Sequence, residues 1–254
     1  MKSDSGAIVG LTLLAGLLTS AVPARAEDAT ASCDVPAYLL TTESALPKVA
    51  DAVKGGRPLD ILVVGSRSST INNTSDGSAY PGRLEAALKE KLPSLAVNVS
   101  VEIQPKKTAE EVAAGMVKLV EAKKPTLVIW QTGTVDAMRS IDPDDFRGAV
   151  DEGVAALQNA GADVVLMNLQ YSPRTETMIS VPPYLDNMRV VAQQHDVPLF
   201  DRFAIMHQWN DSGDFDLFSA SHGPELAKRV HDCLARALSK FVIDAAHLEP
   251  SQQN

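Results

Sequence analysis

The stretch LDILVVGSRSST, residues 59–70, begins with a short run that is apolar apart from Asp60 and ends in a cluster of hydroxyl side chains. A run this brief and this apolar fits a strand buried on both faces, as in a parallel sheet, with Gly65 marking its end. The pattern recurs along the chain. Further strands are expected at 96–103, 126–131 (TLVIWQ), 163–169 (DVVLMNL) and 197–201 (VPLFD). Helical periodicity fills the intervals at 81–91, 109–122, 143–160, 184–195 and 224–246. Thr108 with Glu111 three residues later is a capping-box start, and Asp142 before Pro143 places a cap ahead of a first-turn proline. Regular alternation of this kind predicts a three-layer α/β/α sandwich around a five-stranded parallel, flavodoxin-like sheet. Such sheets bind ligands beyond the carboxyl ends of their strands, where strand order reverses. The residues following Val64, Trp130 and Leu169 are therefore the places where chemistry is expected.

The flanks of this core set the chain's expected compartment. Residues 1–26 read as a signal peptide: Lys2, an apolar run over 7–18, then Ala24-Arg25-Ala26 before Glu27. About a dozen apolar residues fall short of the ~20 that cross a bilayer as a helix. Cleavage after Ala26 is expected, giving a periplasmic or secreted protein with no transmembrane segment in the mature chain. Residues 27–58 are read as a lead-in and first helix, 59–246 as the α/β domain, and 247–254 as a polar tail. Net charge is −9, and the cations are scattered among acids rather than gathered in a stripe, which excludes nucleic acid as an expected partner. Two cysteines, Cys33 and Cys233, are expected to form a disulfide in an oxidising compartment. The loop so closed would be worth roughly 4–5 kcal/mol in the chain-entropy model. A Cys233–His231 nucleophile pair is the alternative use of that thiol, but Cys233 falls on the apolar face of its helix.

Two loops carry the chemistry-bearing residues. After the first strand come Ser66, Arg67, Ser68, Ser69 and Thr70; after the third come Thr132, Gly133, Thr134, Val135 and Asp136. Neither a GxSxG elbow nor a Walker A sequence occurs. Together with Tyr80-Pro81-Gly82-Arg83-Leu84, these loops resemble the SGNH/GDSL family of serine esterases. In that family a serine follows a Gly-Asp pair after the first strand, a GxND motif follows the third, and an Asp-x-x-His sequence opens the last helix. The resemblance spans nearly all of the expected mature chain. Reading back from Thr70 it places the nucleophile at Ser68, with Ser69 as the alternate; counting forward from Gly65 it falls on Arg67. The family's second-block glycine is replaced by Gln104-Pro105-Lys106-Lys107, so the backbone N–H of Lys106 or Lys107 is left as the oxyanion donor there. Gly133 and Thr134 keep the third block, but Val135 stands where the family has its oxyanion-hole asparagine. Loss of such a donor costs a hydrolase about 10²–10³ in turnover when nothing substitutes for it.

The resemblance assigns the base to His222, which precedes Gly223-Pro224 at the entrance of the last helix. Its −3 position is Ser219 rather than aspartate, and Asp216 is the nearest upstream carboxylate that could orient the imidazole. His231, inside the helix, is the alternate base; its other reading is a histidine packed on the helix flank. His195, His207 and His247 lie far apart without metal-ligand spacing, so neither metal nor cofactor is implied. Gln170, Tyr171 and Arg174, after the fourth strand, are candidates for the wall of a cleft. The expected function is an exported, monomeric hydrolase acting on small-molecule, acylated-glycan or lipid esters. The alternative is a catalytically degenerate binding protein on the same scaffold, because Val135, the missing second-block glycine and the absent Asp-x-x-His each remove a familiar part.

Overall fold

The computed structural model describes residues 33–74, 77–218 and 223–248. In chain order the strands are β1 (Leu59–Gly65), β2 (Val97–Ile103), β3 (Leu127–Gln131), β4 (Asp163–Met167) and β5 (Leu199–Phe200). The helices are α1 (Pro47–Lys54), α2 (Tyr80–Lys91), α3 (Ala109–Lys123), α4 (Thr134–Met138), α5 (Pro143–Asn159), α6 (Pro173–Met178), α7 (Pro182–Gln194), α8 (Arg202–Asp211) and α9 (Gly223–Ala245). The five strands are all parallel, in the order β2-β1-β3-β4-β5. The expected three-layer α/β/α sandwich with a flavodoxin-like sheet is the fold of this chain. Among the described residues, no helix is long and apolar enough to cross a membrane.

The near-continuous apolar strands divide their side chains between two cores with a period of two. Ile61, Val63, Leu127, Ile129, Val165 and Met167 point to one face, where α1, α2, α8 and α9 cover them. Leu62, Val64, Val128, Trp130, Val164 and Leu166 point to the other, beneath α3, α5 and α7. Trp130 lies so close to α5 that a Cβ on Gly153 would approach its indole to 2.5 Å. The two caps read from sequence are present: Thr108 and Glu111 form the reciprocal capping box on α3, and Asp142 accepts from Asp144 N–H at the start of α5.

Three expectations are corrected in detail. The fifth strand is only two residues long, because Pro198 has no N–H for the ladder and Asp201 instead caps the following helix by accepting from Ala204 N–H at 2.9 Å. The fourth strand stops at Met167 rather than 169: Asn168 turns its side chain to the β5–α8 junction, donating to Asp201 at 2.7 Å and accepting from Phe203 N–H at 2.9 Å. Helix α8 was not expected, since its buried residues, Arg202, Ile205, Met206 and Trp209, include a charge that interrupts the apolar pattern.

Cys33 and Cys233 form a disulfide with their Cα atoms 5.0 Å apart, joining the start of the described chain to the middle of α9. Beside it, Trp209 donates its indole N–H to the Asp34 carbonyl at 2.9 Å. The bridge closes a loop of 200 residues, for which the chain-entropy model gives about 5 kcal/mol. Replacing both cysteines by serine should lower the urea midpoint and steepen the denaturant slope, because the unfolded chain without its cross-link is more expanded. A stability loss under about 1 kcal/mol would show that the cross-link contributes little beyond native packing.

Candidate active site

The chain leaves β1 for the edge strand β2 and returns on the other side of β1 as β3, so strand order reverses between the carboxyl ends of β1 and β3. Gly65 ends β1, and the next residues wind into a 3-10 turn over Arg67–Ser69, with Ser69 N–H donating to the Ser66 carbonyl at 2.9 Å. Glycine is required at 65 because any Cβ there would run into the Ser69 hydroxyl. The turn gives its serines different environments. Ser69 is completely buried, whereas Ser66 and Ser68 are half-buried and face a cleft.

Gln131, the last residue of β3, organises all three. Its Oε1 accepts from Ser69 Oγ at 2.6 Å and from Tyr80 Oη at 3.3 Å. With that oxygen engaged by two hydroxyls, the amide nitrogen is directed at Ser68 Oγ, 2.5 Å away, and reaches Ser66 Oγ at 3.5 Å. Arg202, fully buried at the first position of α8, reaches the same serine. It donates from Nη1 to Ser68 Oγ at 3.3 Å and from Nη2 to the Ser68 carbonyl at 3.1 Å, and its guanidinium carbon stands 5.7 Å from the Tyr80 ring centroid. Burial pulls the Arg202 pKa down to about 10, which leaves it a cation at neutral pH. Ser68 Oγ thus sits between an amide donor and a cationic donor. Negative charge on that oxygen is favoured by both.

The third-block residues form the far wall. Gly133 holds a φ of 96° and starts α4; a Cβ there would meet Leu169 at 2.6 Å. Asp136 is buried and accepts from Ala109 N–H at 2.8 Å, tying α4 to the start of α3. Desolvation raises its pKa, opposed by the backbone N–H groups of Ala109, Asp136 and Gly133. Thr134 is half-buried, with a hydroxyl that has no hydrogen-bond partner. Lys106 adopts a left-handed backbone with φ 62°, the conformation for which glycine is usually chosen, so the missing second-block glycine did not prevent that turn. Ser66, Arg67, Ser68, Lys106, Thr134, Val135, Met138, Arg139 and Gln170 line a cleft of about 650 Å³.

Of the residues singled out in the sequence, Ser68, Thr134, Lys106 and Gln170 are brought together around this cleft, with Gly133 immediately behind it. Asp216 is exposed and accepts from Phe218 N–H at 3.1 Å. His222 lies outside the described residues, as do Ser219 and the signal-peptide segment. Ser69 has its hydroxyl committed beneath the turn. His231 is buried in α9, where its Nδ1 accepts from Tyr80 N–H at 2.9 Å. Burial first, then the nearby Arg202 and Arg83 charges, lower its pKa to about 3, so it is neutral and packs as the helix-flank reading has it. Tyr171 is buried against Phe203 and His207, and Arg174 stands over Phe218, 5.8 Å from its centroid. Gln131 and Arg202 were missed. Gln131 ends β3 and Arg202 lies two residues past β5, and that position at the carboxyl edge was the available signal.

The five-stranded parallel sheet between two helical layers is the fold of SGNH-like hydrolases. Residues 32–248 match the model of the non-GDSL lipase-like family, and the chain belongs to that family. No curated protein matches the sequence. Among solved structures, TesA is similar with 20% identity and a TM-score of 0.56, covering 71% of this chain and 98% of that one. Axe2, an acetylxylan esterase from Geobacillus stearothermophilus, gives 18% and 0.58 over 76% and 96%. The psychrotrophic esterase EstA from Pseudoalteromonas sp. gives 16% and 0.56 over 72% and 97%. Likeness at this level of identity is a likeness of fold.

The low pKa of His231 has a measurable consequence. An unfolded histidine titrates near 6.5, whereas the folded one stays neutral down to about 3, so the unfolded chain binds the extra proton between these values. Stability from this group is complete above pH 6.5 and is lost as pH falls, by about 2 kcal/mol at pH 5. Urea unfolding at pH 7.5 and 5 should show a larger drop for the native chain than for His231→Gln, whose amide oxygen can still accept from Tyr80. Equal drops would mean that His231 protonates freely in the folded state.

Proposed function

We propose that the protein is an exported ester hydrolase in which Ser68 is the nucleophile and His222 the base, with Asp216 orienting the imidazole. The observation that carries this reading is the position of Ser68 Oγ, at the edge of the cleft with Gln131 Nε2 at 2.5 Å and Arg202 Nη1 at 3.3 Å. Two donors on a hydroxyl oxygen lower its pKa and hold it in one rotamer, at the strand end where this class of sheet presents its reactive groups. Membership of a lipase-like family and the esterase neighbours support the reaction class. The disulfide agrees with an oxidising destination.

In the proposed cycle His222 takes the Ser68 proton as Oγ attacks the ester carbonyl. The resulting oxyanion is held by backbone N–H groups, for which the third-block turn at Gly133 and Thr134 and the left-handed turn at Lys106 supply the candidates. His222 then protonates the departing alcohol, and water, deprotonated by the same imidazole, releases the acid and restores Ser68. Gln131 and Arg202 position the serine throughout and stabilise its oxygen when it is again the leaving group. The second reading, a binding protein on a hydrolase scaffold, is favoured by one observation: Val135 presents an apolar side chain to the cleft where the resemblance expects an amide donor.

A fluorophosphonate probe should modify one serine, in the 65–70 turn. Ser68→Ala should abolish that labelling and reduce hydrolysis of 4-nitrophenyl butyrate by at least about 10³-fold, and His222→Ala should have a comparable effect because base and nucleophile act as a unit. Ser69→Ala should keep the labelling while costing about 1 kcal/mol of stability through the lost hydrogen bond to Gln131, whose oxygen still accepts from Tyr80. A correctly folded native chain that is neither labelled nor active between pH 6 and 9 would put the binding reading first.

A further inference from the structure

Resting on the ester-hydrolase reading, we propose that the preferred substrate is an anionic ester, one that carries a carboxylate or phosphate group alongside a short acyl chain. Acids outnumber bases 32 to 23 over the whole chain. The cleft beside Ser68 reverses that balance: Arg67, Lys106 and Arg139 line it, and no aspartate or glutamate among the described residues does. Arg139 has a carboxylate partner in Glu111 at 3.3 Å. Arg67 and Lys106 form no ion pair among the described residues.

Both of these cations are exposed side chains that leave the backbone at defined turns. Arg67 begins the 3-10 turn that carries Ser68, so its side chain leaves the backbone one residue before the proposed nucleophile. Lys106 is presented by its left-handed turn, which the Thr108–Glu111 capping box anchors two residues later. Fully buried Arg202 adds a further positive charge behind Ser68, with an Nε that has no hydrogen-bond partner. Like charges converging on one concave site repel each other and raise its potential, an arrangement that favours a negative ligand and speeds its arrival.

The opposite wall has a different character. Val135 and Met138 offer apolar surface, and Met138 is 65% exposed. Valine at 135 thus contributes contact area for methylene groups where an amide would have to be desolvated. Cationic rim and apolar wall together match an ester with one charged and one hydrocarbon end. A purely neutral ester would use only half of the lining.

The cations could instead serve the transition-state oxyanion of any ester, and the experiment separates the two roles. Turnover of 4-nitrophenyl hexanoate is compared with that of mono-4-nitrophenyl adipate, which adds a terminal carboxylate to the same six-carbon acyl group. On the alcohol side, 1-butyrylglycerol is compared with 1-butyrylglycerol 3-phosphate. We expect kcat/KM to favour the charged member of at least one pair by about tenfold at low ionic strength, an advantage that shrinks toward parity in 1 M salt. Which pair responds identifies the end that bears the charge. In the Arg67→Gln/Lys106→Gln double variant the ratio should fall to about one.

Equal or better turnover of the neutral members in both pairs overturns the inference and leaves the hydrolase reading intact. An equal loss on charged and neutral esters in the double variant also overturns it, because the cations would then act on the oxyanion alone. If no ester is turned over, calorimetric binding of the same four compounds to Ser68→Ala decides the matter. Tenfold tighter binding of a charged member upholds the anion site while the hydrolase reading fails, and equal binding within a pair overturns both.

Discussion

The carboxamide of Gln131 joins parts of the chain that are far apart in sequence, and the arrangement of the site depends on it. It projects from the end of β3, receives the hydroxyls of Ser69 and Tyr80 on its oxygen, and offers its nitrogen to Ser68 and Ser66. An amide has distinct donor and acceptor ends, so it sorts the serines of one short turn into different roles. Ser69 is drawn under the turn as a buried strut, while Ser68 is left facing the cleft with a donor on its oxygen. A glutamate or methionine of similar size at 131 could not make that division.

Around this junction the electrostatics are unusual for a buried region. Arg202 is enclosed without a carboxylate partner among the described residues, and its neighbours are neutral groups: the Tyr80 ring, the Ser68 hydroxyl and carbonyl, and the nearby imidazole of His231. Desolvation of a guanidinium is costly, and hydrogen bonds to a charged group at ~1.5–3 kcal/mol each, with a cation–π contact, offset only part of it. The remaining positive potential has a visible effect elsewhere, because it is one of the reasons His231 stays neutral. It also reaches the hydroxyl that the proposed acyl transfer would use as nucleophile. A cation kept in place at some cost to folding, directed at the two oxygens of one serine, is what electrostatic preorganisation requires.

Much of the architecture was legible. The apolar runs at β1, β3 and β4 could be read because a strand covered on both faces has no polar side to present, and α3 and α5 could be placed by their caps. Helix α8 could not, since its buried Arg202 breaks the pattern that marks a core helix. The short β5 and early end of β4 depend on Pro198 and on an Asn168–Asp201 contact that spans two elements. At the site, the serine cluster, Gly133, Thr134 and Lys106 were visible as loop residues at strand ends. Their partners were not, because Gln131 reads as the last residue of a strand and Arg202 as a charge on a loop.

By itself, then, the amino-acid sequence determined the layer order, the strands of the sheet, the export-compatible cysteine pair and the loops on which any chemistry must lie. These follow from local periodicity, capping and turn chemistry, which act over a few residues. Tertiary structure decided which serine is buried, which histidine is occupied, and where a positive charge is placed. Those outcomes depend on contacts such as Gln131 to Ser68, Arg202 to Ser68 and Tyr80 to His231, between residues 63, 134 and 151 positions apart. Desolvation and hydrogen-bond geometry act on such pairs only after the sheet has brought their elements together.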